Sequence, residues 1–327
     1  MRVAIVGLGW WGRVLFDAAL ACGDRFTVRL GATVKPDEAR LIRDRYGIPV
    51  VGSLDEVLAD PSIEAVILAT PPSQHRAQIE AIAAAGKHIF TEKPFTLTRA
   101  DAVAAIASCR AAGVHLAVGF NRRFLPPMPA LKRLVADGSL GTILHAEANF
   151  SHDELRFYDP TGWRFTDADS PGLAIGASGA GMHALDALVW LCGPIAKVRA
   201  DAAHRAIDLP GSTVKVRDVL NAGVVFASGA TGTLTTLLGT PLTWRIAVYG
   251  TNGRAETDGL YTLVHQPSGG PAQRTSWPPA PAEPVELAAF ADLVVDGKPY
   301  LVEDREVIDV VAAFEAMAED LRASVPA

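Results

Sequence analysis

The chain has 327 residues, 49% of them hydrophobic, 20% charged and 7% aromatic, with a formal net charge of −6. That length holds about two domains at roughly 150 residues each, and the apolar fraction excludes an intrinsically disordered chain. Three cysteines in 327 residues cannot build a disulfide scaffold, and an acidic balance with no long basic run argues against nucleic acid or an anionic membrane as partner.

Val3–Val6 is a short apolar run, fit for a strand buried on both faces. An amphipathic helix follows over 13–21. A signal-peptide reading of this start fails: Gly7, Gly9 and Gly12 break the apolar run, and Arg13 and Asp17 charge it. The pattern then predicts a strand over 28–33, a helix over 36–46, a strand over 63–69, a helix over 73–85 and a strand over 87–91. A helix over 98–112 and a strand over 114–119 complete the first half. Strands alternating with helices mean βαβ units, hence a doubly wound parallel sheet with its ligand crevice at the carboxyl ends of the strands. No stretch reaches the roughly 20 apolar residues of a membrane span, so a soluble, cytoplasmic protein is expected. Cys22, Cys109 and Cys192 sit in apolar helical patterns and read as buried, inert thiols.

The second half changes character. A helix over 180–191 lies among β-rich segments at 143–150, 198–204, 214–226, 231–238 and 244–249. Turn signals such as Thr251-Asn252-Gly253 separate them. This predicts an α+β domain with a mostly antiparallel open sheet. The expected boundaries are 1–120 for the dinucleotide-binding domain and 121–327 for the substrate and oligomerisation domain. The segment 267–284, rich in Pro, Gly and Ala, reads as an exposed loop. An amphipathic last helix over 302–323 must pack on one of the domains, the first being a candidate.

Gly7-Leu8-Gly9-Trp10-Trp11-Gly12 is a G-x-G-x-x-G between a buried strand and a helix, the setting that turns a weak motif into a dinucleotide fingerprint. Gly7 permits the tight turn, Gly9 lets backbone approach a pyrophosphate, and Gly12 permits close helix–strand packing. Trp10 and Trp11 read as packing residues. The second strand ends at Thr33, where an NAD-binding acid is usual, and Lys35 follows. A missing carboxylate beside a lysine favours the 2′-phosphate of NADP, with NAD as the alternative. Thr70, Pro71 and His75 follow the next strand at the same edge, as does Glu92-Lys93-Pro94. Six further histidines, at 88, 115, 145, 152, 204 and 265, form no metal-spaced cluster, and no metal is expected.

The glycine fingerprint, the T-P-x-x-x-H loop from Thr70 to His75 and the E-K-P tripeptide, in that order, resemble the Gfo/Idh/MocA family of NAD(P)-dependent oxidoreductases. The likeness continues through Asn121, Arg123, the Trp163-Arg164 pair, Gly181-Met182-His183 and Asp186 to Tyr249–Gly253, nearly the whole chain. The resemblance implies a Rossmann domain followed by an open antiparallel sheet, with nicotinamide and substrate meeting between them. It implies that Lys93 touches substrate and cofactor ribose, that Glu92 lies near the nicotinamide, and that His183 is a catalytic acid/base or substrate ligand. The residues agree: an ammonium can stabilise alkoxide character as hydride leaves, and imidazole suits proton transfer near neutrality. Pro94 is a candidate for a cis bond. Asn121, Arg123 and Arg164 are candidate substrate contacts, the two arginines being equally readable as structural ion pairs.

One departure stands out. Many sugar and polyol dehydrogenases of this type carry D-x-x-x-H, and Gly179 holds the place of that Asp. The expected function is hydride transfer between nicotinamide and a small hydroxyl or carbonyl substrate, a sugar or polyol. A cyclic diol or hydroxy-aldehyde, or a non-catalytic NAD(P)-binding sensor, is the alternative. The family likeness also implies a homodimer or homotetramer.

Overall fold

The computed structural model describes residues 1–153, 158, 162–205 and 216–324. The chain divides into two compact units. Met1–Thr96, Ala100–Asn121 and Pro281–Asp304 form the first; Leu97–Arg99, Arg122–Ala280 and Arg305–Ala327 form the second. Among the described residues, no helix is long and apolar enough to cross a membrane.

The first unit runs β1 (Arg2–Val6), α1 (Trp10–Ala21), β2 (Thr27–Ala32), α2 (Pro36–Tyr46), β3 (Val50–Val51), α3 (Leu54–Ala59), β4 (Ala65–Leu68), α4 (Pro72–Ala84), β5 (His88–Glu92), α5 (Arg99–Ala112) and β6 (Leu116–Gly119). The strands pair in parallel in the order 3-2-1-4-5-6. This is the doubly wound dinucleotide-binding order, and every strand ends at one edge. Val3, Ala4, Ile5, Val66, Ile67, Ile89 and Phe90 are fully buried, which is why these strands read as continuous apolar runs. The pattern alone did not mark β3 or α3. The latter had a readable signal, since Ser53 Oγ accepts the Glu56 N–H and Glu56 Oε1 accepts the Gly52 N–H.

The second unit runs α6 (Pro127–Ala136), β7 (Ile143–Ser151), α7 (Met182–Cys192), β8 (Ile195–Ala203), β9 (Val219–Phe226), β10 (Thr231–Leu237), β11 (Thr243–Gly250), β12 (Gly253–Thr257), β13 (Thr262–Pro267) and β14 (Gln273–Ser276). The sheet order is 14-13-12-11-7-10-9-8. All neighbours are antiparallel except β7 and β10. Ala146, Ala148 and Phe150 point to the buried face, on which α7 packs; His145, Glu147 and Asn149 point to the other. The start of the strand expected from 214, at Val214 and Lys215, lies outside the described residues.

One expectation is corrected. The segment 267–284 is not one loop: β14 pairs with β13 at the sheet edge, and all its residues are exposed. An edge strand wet on both faces has no apolar alternation to read. The last helix, α9 (Asp304–Ala323), belongs to the second unit, where Asp320 accepts the Ala200 N–H at the sheet's other edge. The helix before it, α8 (Ala282–Asp296), is the one that packs in the first unit. It lies on α1 and sets Phe290 against Phe26 and Phe90. The chain therefore re-enters the first unit at 281 and leaves it at 304, which a single boundary at 120 does not describe.

Candidate active site

Gly7 has φ +90°, and a Cβ there would lie 2.6 Å from Ala69 O; a Cβ on Gly12 would lie 1.8 Å from Gly7 O. Both positions admit only glycine. Gly9 differs: the nearest atom to a Cβ there is Glu38 Oε1, at 3.8 Å. Its face is open, as close approach of a pyrophosphate requires. Gly9 is also the N-cap of α1, with no side-chain cap and no acid in the first turn. The helix N-terminus thus keeps its amide donors and positive partial charge for an anion. The cradle fits a dinucleotide phosphate.

The end of β2 places an acid where the strand itself has none. Thr33 Oγ1 donates to Glu38 Oε2 at 2.7 Å, and Lys35 Nζ lies 3.6 Å from Glu38 Oε1. The strand end lacks an acid, but the first turn of α2 supplies one beside Gly9. Lys35 is already paired to it. Sequence spacing missed Glu38 because it comes from the helix, five residues past the expected place.

At the end of β4, Thr70 Oγ1 donates to Gln78 Oε1, and Pro71 caps α4. His75 is fully buried. Its Nδ1 lies 2.9 Å from Pro94 O and 3.1 Å from Phe95 O, and its Nε2 lies 3.0 Å from Thr70 O. It braces the loop after β4 against the E-K-P turn. The Lys93–Pro94 peptide is cis. Lys93 is half-buried, and its N–H donates to Glu92 Oε2.

Glu92 closes β5 with its carboxyl buried. A Cβ on Gly119 would lie 2.9 Å from Glu92 Oε1, so the small residue on β6 makes room for it. Burial pushes this carboxyl up to about 7, against the pull of Lys93 and the Trp11 indole. Glu283 of α8 adds to the rise. Asn121, just past β6, donates from Nδ2 to Glu283 Oε1 at 2.7 Å. Glu283 was hidden in the supposed loop.

In the second unit, a π-turn over Ala177–Gly181 leads into α7, where His183 is buried. His183 packs on Phe150, which also meets His152 and, edge-on, Trp244. The Arg122 guanidinium lies over Phe150 and Trp244. A Cβ on Gly179 would meet nothing within 4 Å. Arg164 stacks its guanidinium on Tyr158 and Trp163.

Arg123 is not a substrate contact. It is fully buried, forks onto both Asp186 oxygens at 2.7–3.1 Å and pairs with Glu306. This buried ion pair fixes α7 to the start of α9. The Cys109 and Cys192 thiols are pushed up to about 11 and about 12 by burial, and Cys22 is raised likewise. None is poised as a nucleophile.

Two family models match the chain. One, described as the oxidoreductase family with an NAD-binding Rossmann fold, covers residues 1–120; the GFO/IDH/MocA C-terminal domain covers 128–256. The chain belongs to the Gfo/Idh/MocA family. Membership makes it an NAD(P)-dependent oxidoreductase. Among its Gfo/Idh/MocA relatives, the uncharacterized oxidoreductase YdgJ of Escherichia coli is 30% identical over 62% of this chain and 57% of its own length. A D-xylose 1-dehydrogenase (NADP(+)) of Haloferax volcanii is 29% identical over 88% of each chain. A levoglucosan dehydrogenase, in complex with NADH and levoglucosan, shares the fold. Its TM-score is 0.85 at 21% identity, over 100% of this chain and 98% of that one.

Proposed function

We propose that this Gfo/Idh/MocA protein moves a hydride between NAD(H) and a small polyhydroxylated substrate, a sugar or polyol. One observation carries the reading. The open glycine face at Gly9 and the half-buried Lys93 stand at the same carboxyl edge of one parallel sheet.

When bound, the nicotinamide supplies the hydride acceptor or donor. Gly7, Gly9 and Gly12 with the α1 N-terminus hold the phosphates. Thr33 and Glu38 receive the adenosine ribose. Glu38 turns the preference from NADP to NAD, because a carboxylate accepts from ribose hydroxyls and repels a 2′-phosphate. Thr70 and Pro71 line the loop above β4. Lys93 holds the substrate oxygen and stabilises its negative character; His183, in the second unit, is the candidate acid/base.

The runner-up substrate is a cyclic diol or hydroxy-aldehyde. The space beside Gly179 favours it, since no carboxylate stands four residues before His183. A panel of aldoses, polyols, diols and hydroxy-aldehydes, assayed with NAD and with NADH, separates the two. Lys93→Met should lower kcat by about 10²- to 10⁴-fold with little change in cofactor affinity. Near-wild-type turnover in that variant would remove Lys93 from the chemistry. No turnover with any substrate, alongside tight cofactor binding, would favour a sensor.

The protein acts as a homodimer or homotetramer through the outer face of its eight-stranded sheet. Thr231, Thr233, Asn221 and Gly223 stand exposed there beside the Arg245–Glu147 and Arg245–Glu256 pairs. Sedimentation equilibrium should return two or four times the 34.5 kDa of one chain; a monomer mass at micromolar concentration would refute this.

A further inference from the structure

Asn121 and Glu283 are 162 residues apart in the chain, yet they meet at the carboxyl edge of the first unit's sheet. Asn121 is only 2% exposed. Its Nδ2 donates to Glu283 Oε1 at 2.7 Å. A carboxylate can only accept, so this contact fixes which end of the amide faces Glu283. The flipped amide would set its oxygen against a carboxylate oxygen. The remaining atom, Asn121 Oδ1, is buried and has no hydrogen-bond partner among the described residues. A buried acceptor left unbonded is costly, and such atoms call for a donor.

The fold says where that donor comes from. Gly9 marks the pyrophosphate, and Glu38 and Thr33 mark the adenosine side over β2. The other nucleoside must then run toward the ends of β4, β5 and β6. Asn121 follows β6 directly, and a Cβ on Gly119, two residues earlier, would lie 2.9 Å from Glu92 Oε1. The nicotinamide end of a dinucleotide brings one group with N–H donors, its carboxamide.

We propose that Glu283 is a positioning residue: it holds Asn121 so that Oδ1 accepts the carboxamide N–H of the nicotinamide. The proposal rests on the cofactor reading above and adds to it a residue from the returning helix α8. It gives that return a function besides packing, since α8 carries Glu283 to a strand end more than 160 residues away in sequence.

The test uses NADH and the reduced 3-acetylpyridine analogue, whose acetyl group lacks the N–H. Dissociation constants come from quenching of tryptophan fluorescence in the full chain. The wild type should bind NADH about tenfold more tightly than the analogue, the worth of about one hydrogen bond. Glu283→Ala should weaken NADH by about that factor and leave the analogue within about twofold, so that discrimination is lost. Glu283→Gln still presents an acceptor and should restore discrimination to within about threefold. Asn121→Ala should lose it as Glu283→Ala does. A wild type that does not discriminate, or a Glu283→Ala protein that weakens both ligands equally, would overturn the proposal while leaving cofactor binding intact. No binding of either NADH or NADPH by the wild type would instead overturn the functional reading itself.

Discussion

Glu92 is the residue in which environment most alters chemistry. Its carboxyl, ordinarily near 4.5, is pushed up to about 7 by burial at the end of β5. Between those two values the folded protein binds a proton that the unfolded chain releases. Stability must therefore fall as pH rises from about 4.5 to about 7, by roughly 3 kcal/mol in total at about 1.4 kcal/mol per pH unit. Glu92→Gln should abolish that component and leave the variant more stable than wild type at pH 8. Urea unfolding at pH 5 and pH 8 measures it; identical pH slopes in the two proteins would refute it. At neutral pH the group is poised between its forms, and Lys93, whose N–H it accepts, feels the change. Other residues exchange expected roles for structural ones. Arg123 and His75 look like ligand contacts in a motif, but burial and their partners Asp186, Pro94 and Thr70 make them braces. A sequence shows which residue is present; it does not show whether a counter-charge is folded against it.

At the scale of the element, the glycine turn was the most legible part of the protein, and its three glycines now separate by role. Gly12 allows α1 to lie on Gly7, whereas Gly9 guards open space. Gly9→Ala should fold with a melting temperature close to wild type and bind NADH at least about tenfold more weakly, the methyl standing where the phosphates must come. Gly12→Ala should be destabilised, because its Cβ would overlap Gly7 O. Comparing thermal melts and NADH titrations of both variants checks this. Equal melting temperatures, or unchanged NADH affinity in Gly9→Ala, would break the assignment. The parallel strands were readable because burial on both faces demands apolar runs. What escaped reading had weak local signals. β3 is two residues long, β14 is exposed throughout, and α8 starts inside a proline-rich stretch after Pro281. Glu38 escaped because the acid beside Gly9 is set by how α2 folds back over the end of β2, a contact between elements that no spacing rule records.

At the scale of the whole molecule, the fold class and the order of the two units were legible, since alternating βα periodicity gives way to strand-rich segments near residue 120. The re-entry of 281–304 was not, because no local pattern says which core a helix such as α8 joins; Phe290 finds Phe26 and Phe90 only in three dimensions. That return brings Glu283 to Asn121, so part of the candidate site depends on a segment far from every motif. The claim on which all else rests is that the first unit holds a nicotinamide dinucleotide with Glu38 against its adenosine ribose. Parallel fluorescence titrations of the full chain with NADH and NADPH test it most directly. The expected result is saturable binding of both, with NADH favoured about tenfold or more and the preference lost in Glu38→Ala. Binding of neither nucleotide, or an NADPH preference that Glu38→Ala leaves unchanged, would contradict it.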